Sequence, residues 1–553
     1  MRLPKGKTFF LLALLCLSGT LYSQRGLLRN PVLAGFYPDP SICRAGDDYY
    51  LINSSFAYFP GLPIFHSRDL LNWEQIGHVL DRPEQLPLDG AGVSRGLFAP
   101  SIHYHNGKFY VVCTLIDKLG NFVVTATDPR GPWSNPVPLP KVDGIDPSIF
   151  FDDNGKSYIV YNSIPPDNKS LWNGHRTIRM REWNAATYEV SDKETILING
   201  GTDTSRHPVW IEGPHIYQKD GYYYLLCAEG GTGYNHSSVI FRSKSVAGPY
   251  ASFESNPIMT QRDLDPARPN PVTTTGHADF VETPSGEWWA VFLACRPYEG
   301  DHYNTGRETF MAPVTWNNGW PAMIPAGETV KYRYPINVNG KKTKAQFNNN
   351  FTFTDRFRDT VLNKRYVFLR TPSEKWYSSG KGALAVKLRP ETCGGKSNPS
   401  FIGFRQPHLN GDASVQLQFH TTKENQKAGL LVFQNEKHYY FLGVTKQNNQ
   451  PFIGLYKGGE TDTLLTGVTL LPKATNCYLK IEARQHTYAF YFSMDGKRWQ
   501  LLADNIDAKY LSTKTAGGFT GCLYAMYATS SGVPSQNTAV FKQFTCTSRD
   551  KTY

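Results

Sequence analysis

The chain has 553 residues, more than one hydrophobic core usually holds, so two or more domains are expected. Its formal charge of +11 raises nucleic acid as a partner, but the basic residues are spread along the chain, cluster only at Lys341, Lys342 and Lys344, and accompany no nucleic-acid motif. An aromatic content of 14% with 48 Gly and 37 Pro points instead to short strands, tight turns and stacking surfaces.

At the N-terminus, Arg2, Lys5 and Lys7 precede an apolar run from Phe9 to Leu17, then small and polar residues up to Ser23. That run is too short to span a bilayer as a helix and fits a cleaved signal peptide over residues 1–23. Cys16 lies inside it, but Leu15 before it is too large for a typical lipoprotein site. No later stretch reaches membrane-spanning length, so an exported chain without stable membrane insertion is expected, periplasmic or secreted. The remaining cysteines (Cys43, Cys113, Cys227, Cys295, Cys393, Cys477, Cys522, Cys546) form no C-x-x-C pair, and several sit in apolar runs. Buried free thiols are expected rather than zinc, with one or two disulfides as the alternative.

Residues 24–330 alternate short aromatic and β-branched runs with turns such as Asn106-Gly107, Asn154-Gly155 and Asp220-Gly221, the pattern of antiparallel hairpins. One unit recurs five times: DPSI then AGDDYYLINSS from Asp39, APSI then HNGKFYVVCT from Ala99, DPSI then DDNGKSYIVYNS from Asp146, GPHI then QKDGYYYLLCAEGG from Gly213, and HADF then TPSGEWWAVFLACRP from His277. Five sheet-forming repeats predict an all-β, five-bladed β-propeller. Equivalent positions then start each innermost strand and converge on one axis, bringing together Asp39, Ala99, Asp146, Gly213 (with Glu212 before it) and His277. An Asp-Pro step often does no more than initiate a turn. That accounts for one copy, not for charged groups at the inward position of several blades, where apolar packing costs less.

Hydrolysis of a glycosidic bond needs a protonated acid at the leaving oxygen and a carboxylate to activate water or attack the sugar. Asp39, Glu212 and Asp146 meet that demand, the third holding another protonated by repulsion. Phe56 and Phe98 offer an apolar wall for a sugar face, and Arg307 a cation for hydroxyls and carboxylates.

The phrases NPVLAGFYPDPSICRAGDDYYLINSSF, GIDPSIF, WIEGPHIY, GHADFVE and TGRETFMAPVTWNNGW resemble glycoside hydrolase family 43 over nearly the whole chain. The resemblance implies that Asp39 is the general base, Glu212 the general acid and Asp146 the group that tunes and orients Glu212. It places His277 and Arg307 against sugar or acids, and Phe56 and Phe98 at the aromatic walls. It implies inversion, without a required cofactor. A water-bound calcium ion at His277 is an alternative to sugar contact there.

Residues 331–345 read as a Pro-rich, then basic, linker. From 346 to 553, period-two runs such as SVQLQFHT and TYAFYFSMDGKRWQLL predict a lectin-like β-sandwich. It could bind carbohydrate, stabilise passively, or wall the active site. In the resembled group this domain projects a loop over the funnel, which GGFTGCLYAMY with Phe519 resembles; a core strand is the alternative. A funnel closed at one end admits only chain termini. That implies exo action, and the GRETFMAPVTWNNGW form with Phe98 resembles the arabinofuranosidase branch of the family, so an exo-acting α-L-arabinofuranosidase on hemicellulose side chains of the plant cell wall is expected. A β-D-xylosidase or a non-catalytic carbohydrate-binding propeller are the alternatives.

Overall fold

The computed structural model describes residues 24–325, 327–338, 347–470 and 476–552; the expected signal peptide and the Lys341–Lys344 cluster lie outside the described residues. Five sheets built on four successive antiparallel strands form the propeller; blade IV adds a short fifth strand, and blade I lends one intervening strand to another sheet. Blade I comprises Ser41–Ala45, Asp48–Ile52, Gly61–Ser67 and Glu74–Leu80. Blade II comprises Ser101–His105, Lys108–Leu115, Gly120–Ala126 and Val137–Pro138. Blade III comprises Ile145–Phe151, Ser157–Ser163, Thr177–Trp183 and Val190–Asn199. Blade IV comprises Glu212–Lys219, Tyr222–Glu229, Ser237–Ser243 and Ala251–Ser252, with Met259–Thr260 beside the third strand. Blade V comprises Thr273–Glu282, Trp288–Cys295, Glu308–Asn317 and Trp320–Ala322.

The inner strands touch in a closed ring, I to II to III to IV to V to I. Second strands such as KFYVVCTL and WWAVFLAC are buried on both faces between blades, so they read as continuous apolar runs. Asp279 of blade V ties the ring: it accepts from Ser41 Oγ at 2.7 Å and Ile42 N at 2.9 Å in blade I, and from Tyr217 OH at 2.6 Å in blade IV. Asn106-Gly107 and Asp220-Gly221 have positive φ at both residues, as type I′ hairpins require. At Asn154-Gly155 only the glycine does, and Gly155 N donates to Asp152 O instead.

The stretch read as a linker starts as a strand. Arg333–Val338 pairs antiparallel with Gln24–Arg29, and residues 339–345 lie outside the described residues. Beside this pair, Asn30 donates to Met311 O and accepts from Met311 N, both at 2.8 Å, anchoring the N-terminal segment on blade V.

The C-terminal domain is a sandwich of two large antiparallel sheets. It does not hang from the propeller as a separate module. Tyr58–Phe59, between the second and third strands of blade I, pairs with Val367–Leu369 and becomes the edge of a sandwich sheet. One apolar cluster runs from Ile64, Leu97 and Ile102 of the propeller to Phe368, Trp376 and Ile402 of the sandwich. A buried polar knot adds to it: Arg296 donates to Glu308 at 2.6 and 2.8 Å and to Asp550 at 2.8 Å. The eight cysteines from Cys43 onward are all buried and free, as expected.

Candidate active site

The equivalent inward position is special in its backbone. Asp39, Asp146, Gly213 and His277 all sit in the left-handed region, with φ of 48°, 53°, 55° and 52°. Aspartate and glycine are among the residues that tolerate this conformation best. The strand ladders break register at the same places, between Ile145 and Ser148, Glu212 and His215, and Gly276 and Asp279. Such bulges re-aim side chains next to active sites. The break turns Asp146, Glu212 and His277 off the sheet and toward the axis. Blade II departs from the rule: Ala99 is buried and contributes no charge, and its neighbour Phe98 lines the site instead.

Gly213 cannot carry a side chain here. A Cβ would approach the His277 ring to 2.9 Å, besides sitting at positive φ. The glycine therefore lets His277 stand directly against the Gly213 backbone, next to Glu212 in the chain. Asp146, Glu212 and His277 each bring a nitrogen or oxygen within 4.8 Å of one another. Three donors fall short of the six to eight that calcium takes, so water would have to complete the shell. A cation there would also hold Glu212 deprotonated, which opposes proton donation.

Asp39 is buried and held from both sides. Ser54 Oγ donates to its Oδ2 at 2.5 Å and Arg307 Nη1 to its Oδ1 at 3.0 Å. Arg307 also donates to Thr232 Oγ1 at 2.7 Å and to the Phe519 carbonyl at 3.4 Å, while its buried Nε has no partner. Phe519 thus belongs to the site, on a loop and not in a core strand. Its ring stacks on Phe56 at 5.9 Å, meets Phe98 edge-on at 6.2 Å, and its amide donates to Ser94 Oγ. Backbone meets backbone at this seam: a Cβ on Gly521 would lie 2.5 Å from Thr305 O and 2.7 Å from Gly306 N.

Burial pushes the Glu212 carboxyl up to about 7, Asp39 adds to the rise, and Arg307 and Arg176 oppose it. Asp146 is raised well above the usual range by burial first, then by Glu212 and Asp39. Burial lowers His277 to about 4, so it stands neutral, with His236 behind it. The site therefore joins a carboxylate bound by two donors to carboxyls that keep their protons near neutral pH. That pairing is what general acid–base cleavage requires.

All eight residues singled out in the sequence converge here. Ser54, Thr232, Arg176 and His236 were not among them. The repeat carried a signal for two: Ser54 and Thr232 both follow the second strand of their blades.

Residues 28–321 match the family model described as glycosyl hydrolases family 43. The chain belongs to glycoside hydrolase family 43. Residues 354–547 match the β-xylosidase C-terminal concanavalin A-like domain. This family 43 chain is 41% identical over 528 residues to the xylosidase/arabinosidase of Butyrivibrio fibrisolvens, covering 94% of this chain and 99% of the relative. It is 37% identical over 524 residues to the non-reducing end α-L-arabinofuranosidase BoGH43B of Bacteroides ovatus, covering 93% and 94%. The crystal structure of a GH43_12 protein retrieved from a capybara gut metagenome superposes with a TM-score of 0.85 at 40% identity, covering 92% of this chain and 96% of that one. Among the described residues, no helix of this family 43 enzyme is long and apolar enough to cross a membrane.

Proposed function

We propose that this glycoside hydrolase is exo-acting and inverting, and that it releases terminal α-L-arabinofuranosyl residues from hemicellulose side chains or oligosaccharides. The observation that carries the reading is the unequal treatment of two carboxyls. Asp39 accepts from Arg307 and Ser54 on separate oxygens, as an ionised carboxylate does, whereas burial and the Asp39 charge keep Glu212 protonated to about pH 7. Asp39 takes a proton from water as it attacks the anomeric carbon; Glu212 gives its proton to the departing oxygen. Inversion requires the two carboxyls about 6.5–9.5 Å apart, leaving room for that water. Asp146, within 4.8 Å of Glu212, orients the acid. Arg307, with an unpartnered buried Nε, and neutral His277 receive sugar hydroxyls between the walls of Phe56 and Phe98.

The exo reading rests on Phe519: the sandwich loop closes the Asp39 side of the funnel with an aromatic ring and a carbonyl bound to Arg307. The B. ovatus relative named an arabinofuranosidase supports the choice of sugar. A β-D-xylosidase is the second reading, favoured by the B. fibrisolvens relative, whose name carries both activities. A non-catalytic binding propeller is disfavoured, since a binding site gains little from buried carboxyls that repel each other. The signal-like N-terminus supports export to the periplasm or beyond.

Release of 4-nitrophenol from the α-L-arabinofuranoside and the β-D-xyloside tests this, with Asp39→Ala and Glu212→Ala beside the wild type. Turnover of the arabinofuranoside, lost in Asp39→Ala, supports the reading. Faster turnover of the xyloside replaces it with the second one, and full activity in Asp39→Ala sinks the site.

A further inference from the structure

Two loops zip together in front of Glu212. One, residues 164–176, links the second and third strands of blade III; the other, residues 200–211, leads from blade III into blade IV. Trp172 Nε1 donates to Pro208 O at 2.7 Å, Trp210 N to Gly174 O at 2.8 Å and Gly200 N to Arg176 O at 3.0 Å. The rings of His175, Trp172 and His207 stack with centroids 4.2 and 5.3 Å apart.

Within this lip the Arg176 guanidinium carbon lies 3.8 Å over the Trp210 ring, two residues before Glu212. Both side chains are half-buried. Arg176 commits only Nη1, to His175 O at 2.8 Å; among the described residues its Nε and Nη2 have no partner, and it makes no ion pair. Leu171 and Val209 leave apolar surface exposed on the same lip. None of these groups serves the Asp39 side, which Phe56, Phe98, Phe519 and Arg307 already wall.

The proton donor stands between the sugar being released and the unit left behind, so what lies outside Glu212 faces the departing unit. A guanidinium laid flat on an indole keeps its in-plane donors fixed at small entropic cost. Unpaired donors without a carboxylate partner suit neutral hydroxyls. We propose that Arg176, supported by Trp210, forms the binding site for the leaving sugar unit and hydrogen-bonds the hydroxyls of its ring. The assignment rests on Glu212 acting as the proton donor.

Its test compares kcat/KM on an oligosaccharide with kcat/KM on the glycosyl fluoride of the same terminal sugar, whose leaving group has neither ring nor hydroxyls. For Arg176→Ala and Trp210→Ala, the loss on the oligosaccharide is expected to exceed the loss on the fluoride by at least about tenfold, at about pH 5 as at about pH 7. An effect passing through the Glu212 proton would vary with pH and be confined to Arg176→Ala. Equal proportional losses on both substrates, or no loss on either, overturn the proposal. Melting temperatures show whether each variant folds; where one does not, Arg176→Lys or Trp210→Phe is read by the same ratio. A wild type inactive on both substrates would refute the hydrolase reading instead, so the two failures are told apart.

Discussion

Replacing Glu212 by Gln is expected to change the pH dependence of stability as well as activity. Glu212 rises from 4.5 when unfolded to about 7 in the native protein. The native state therefore holds this proton more tightly than the unfolded chain. The resulting stabilisation is fully present below pH 4.5 and is lost as the pH rises through 7. At about 1.4 kcal/mol per pH unit, the change amounts to on the order of 3 kcal/mol. Relief of the neighbouring Asp146 carboxyl acts in the same direction. Glu212→Gln carries no proton to lose, so urea denaturation at pH 5 and pH 8 should show the variant gaining on the wild type by roughly that amount at the higher pH. Activity on oligosaccharides should fall by about two to four orders of magnitude in the same variant, as removal of a general acid does. A stability difference that stays constant between pH 5 and pH 8 would refute the claim that burial and Asp39 hold Glu212 protonated.

Gly521→Ala is expected to fold but to lower kcat/KM by about ten- to a hundredfold, because its Cβ meets only backbone and must displace the loop carrying Phe519 against Arg307. Steady-state kinetics with a melting curve checks this. Arg296→Ala should destabilise the protein by about 3–5 kcal/mol, since it strands buried Glu308 and Asp550 without their cation; denaturant titration measures the loss. Proton NMR of the first-formed sugar should show inverted anomeric configuration, and retention would assign Asp39 the role of nucleophile.

The propeller was legible because each inner strand begins with the same short phrase, and in blades I, III, IV and V the phrase marks where the backbone turns left-handed. The repeat therefore brings Asp39, Asp146, Glu212 and His277 together from the sequence alone. The GGFTGC segment likewise pointed to the loop that carries Phe519. What the sequence hid depends on single long-range contacts without period. Tyr58–Phe59 becomes a sandwich strand through two residues only. Arg333–Val338 reads as a linker, because its partner Gln24–Arg29 lies at the far end of the chain. Arg176 sits in a polar loop, and nothing near it in sequence announces that Trp210 will lie beneath it.

The division of labour between Asp39 and Glu212 is tested most directly by leaving-group dependence. The rates of Asp39→Ala and Glu212→Ala are compared on an oligosaccharide and on a glycosyl fluoride, which needs little proton assistance to depart. Glu212→Ala should lose far more activity on the oligosaccharide than on the fluoride, and Asp39→Ala should lose activity on both alike. Equal losses of Glu212→Ala on the two substrates, or a fluoride rate that survives in Asp39→Ala, would contradict the assignment.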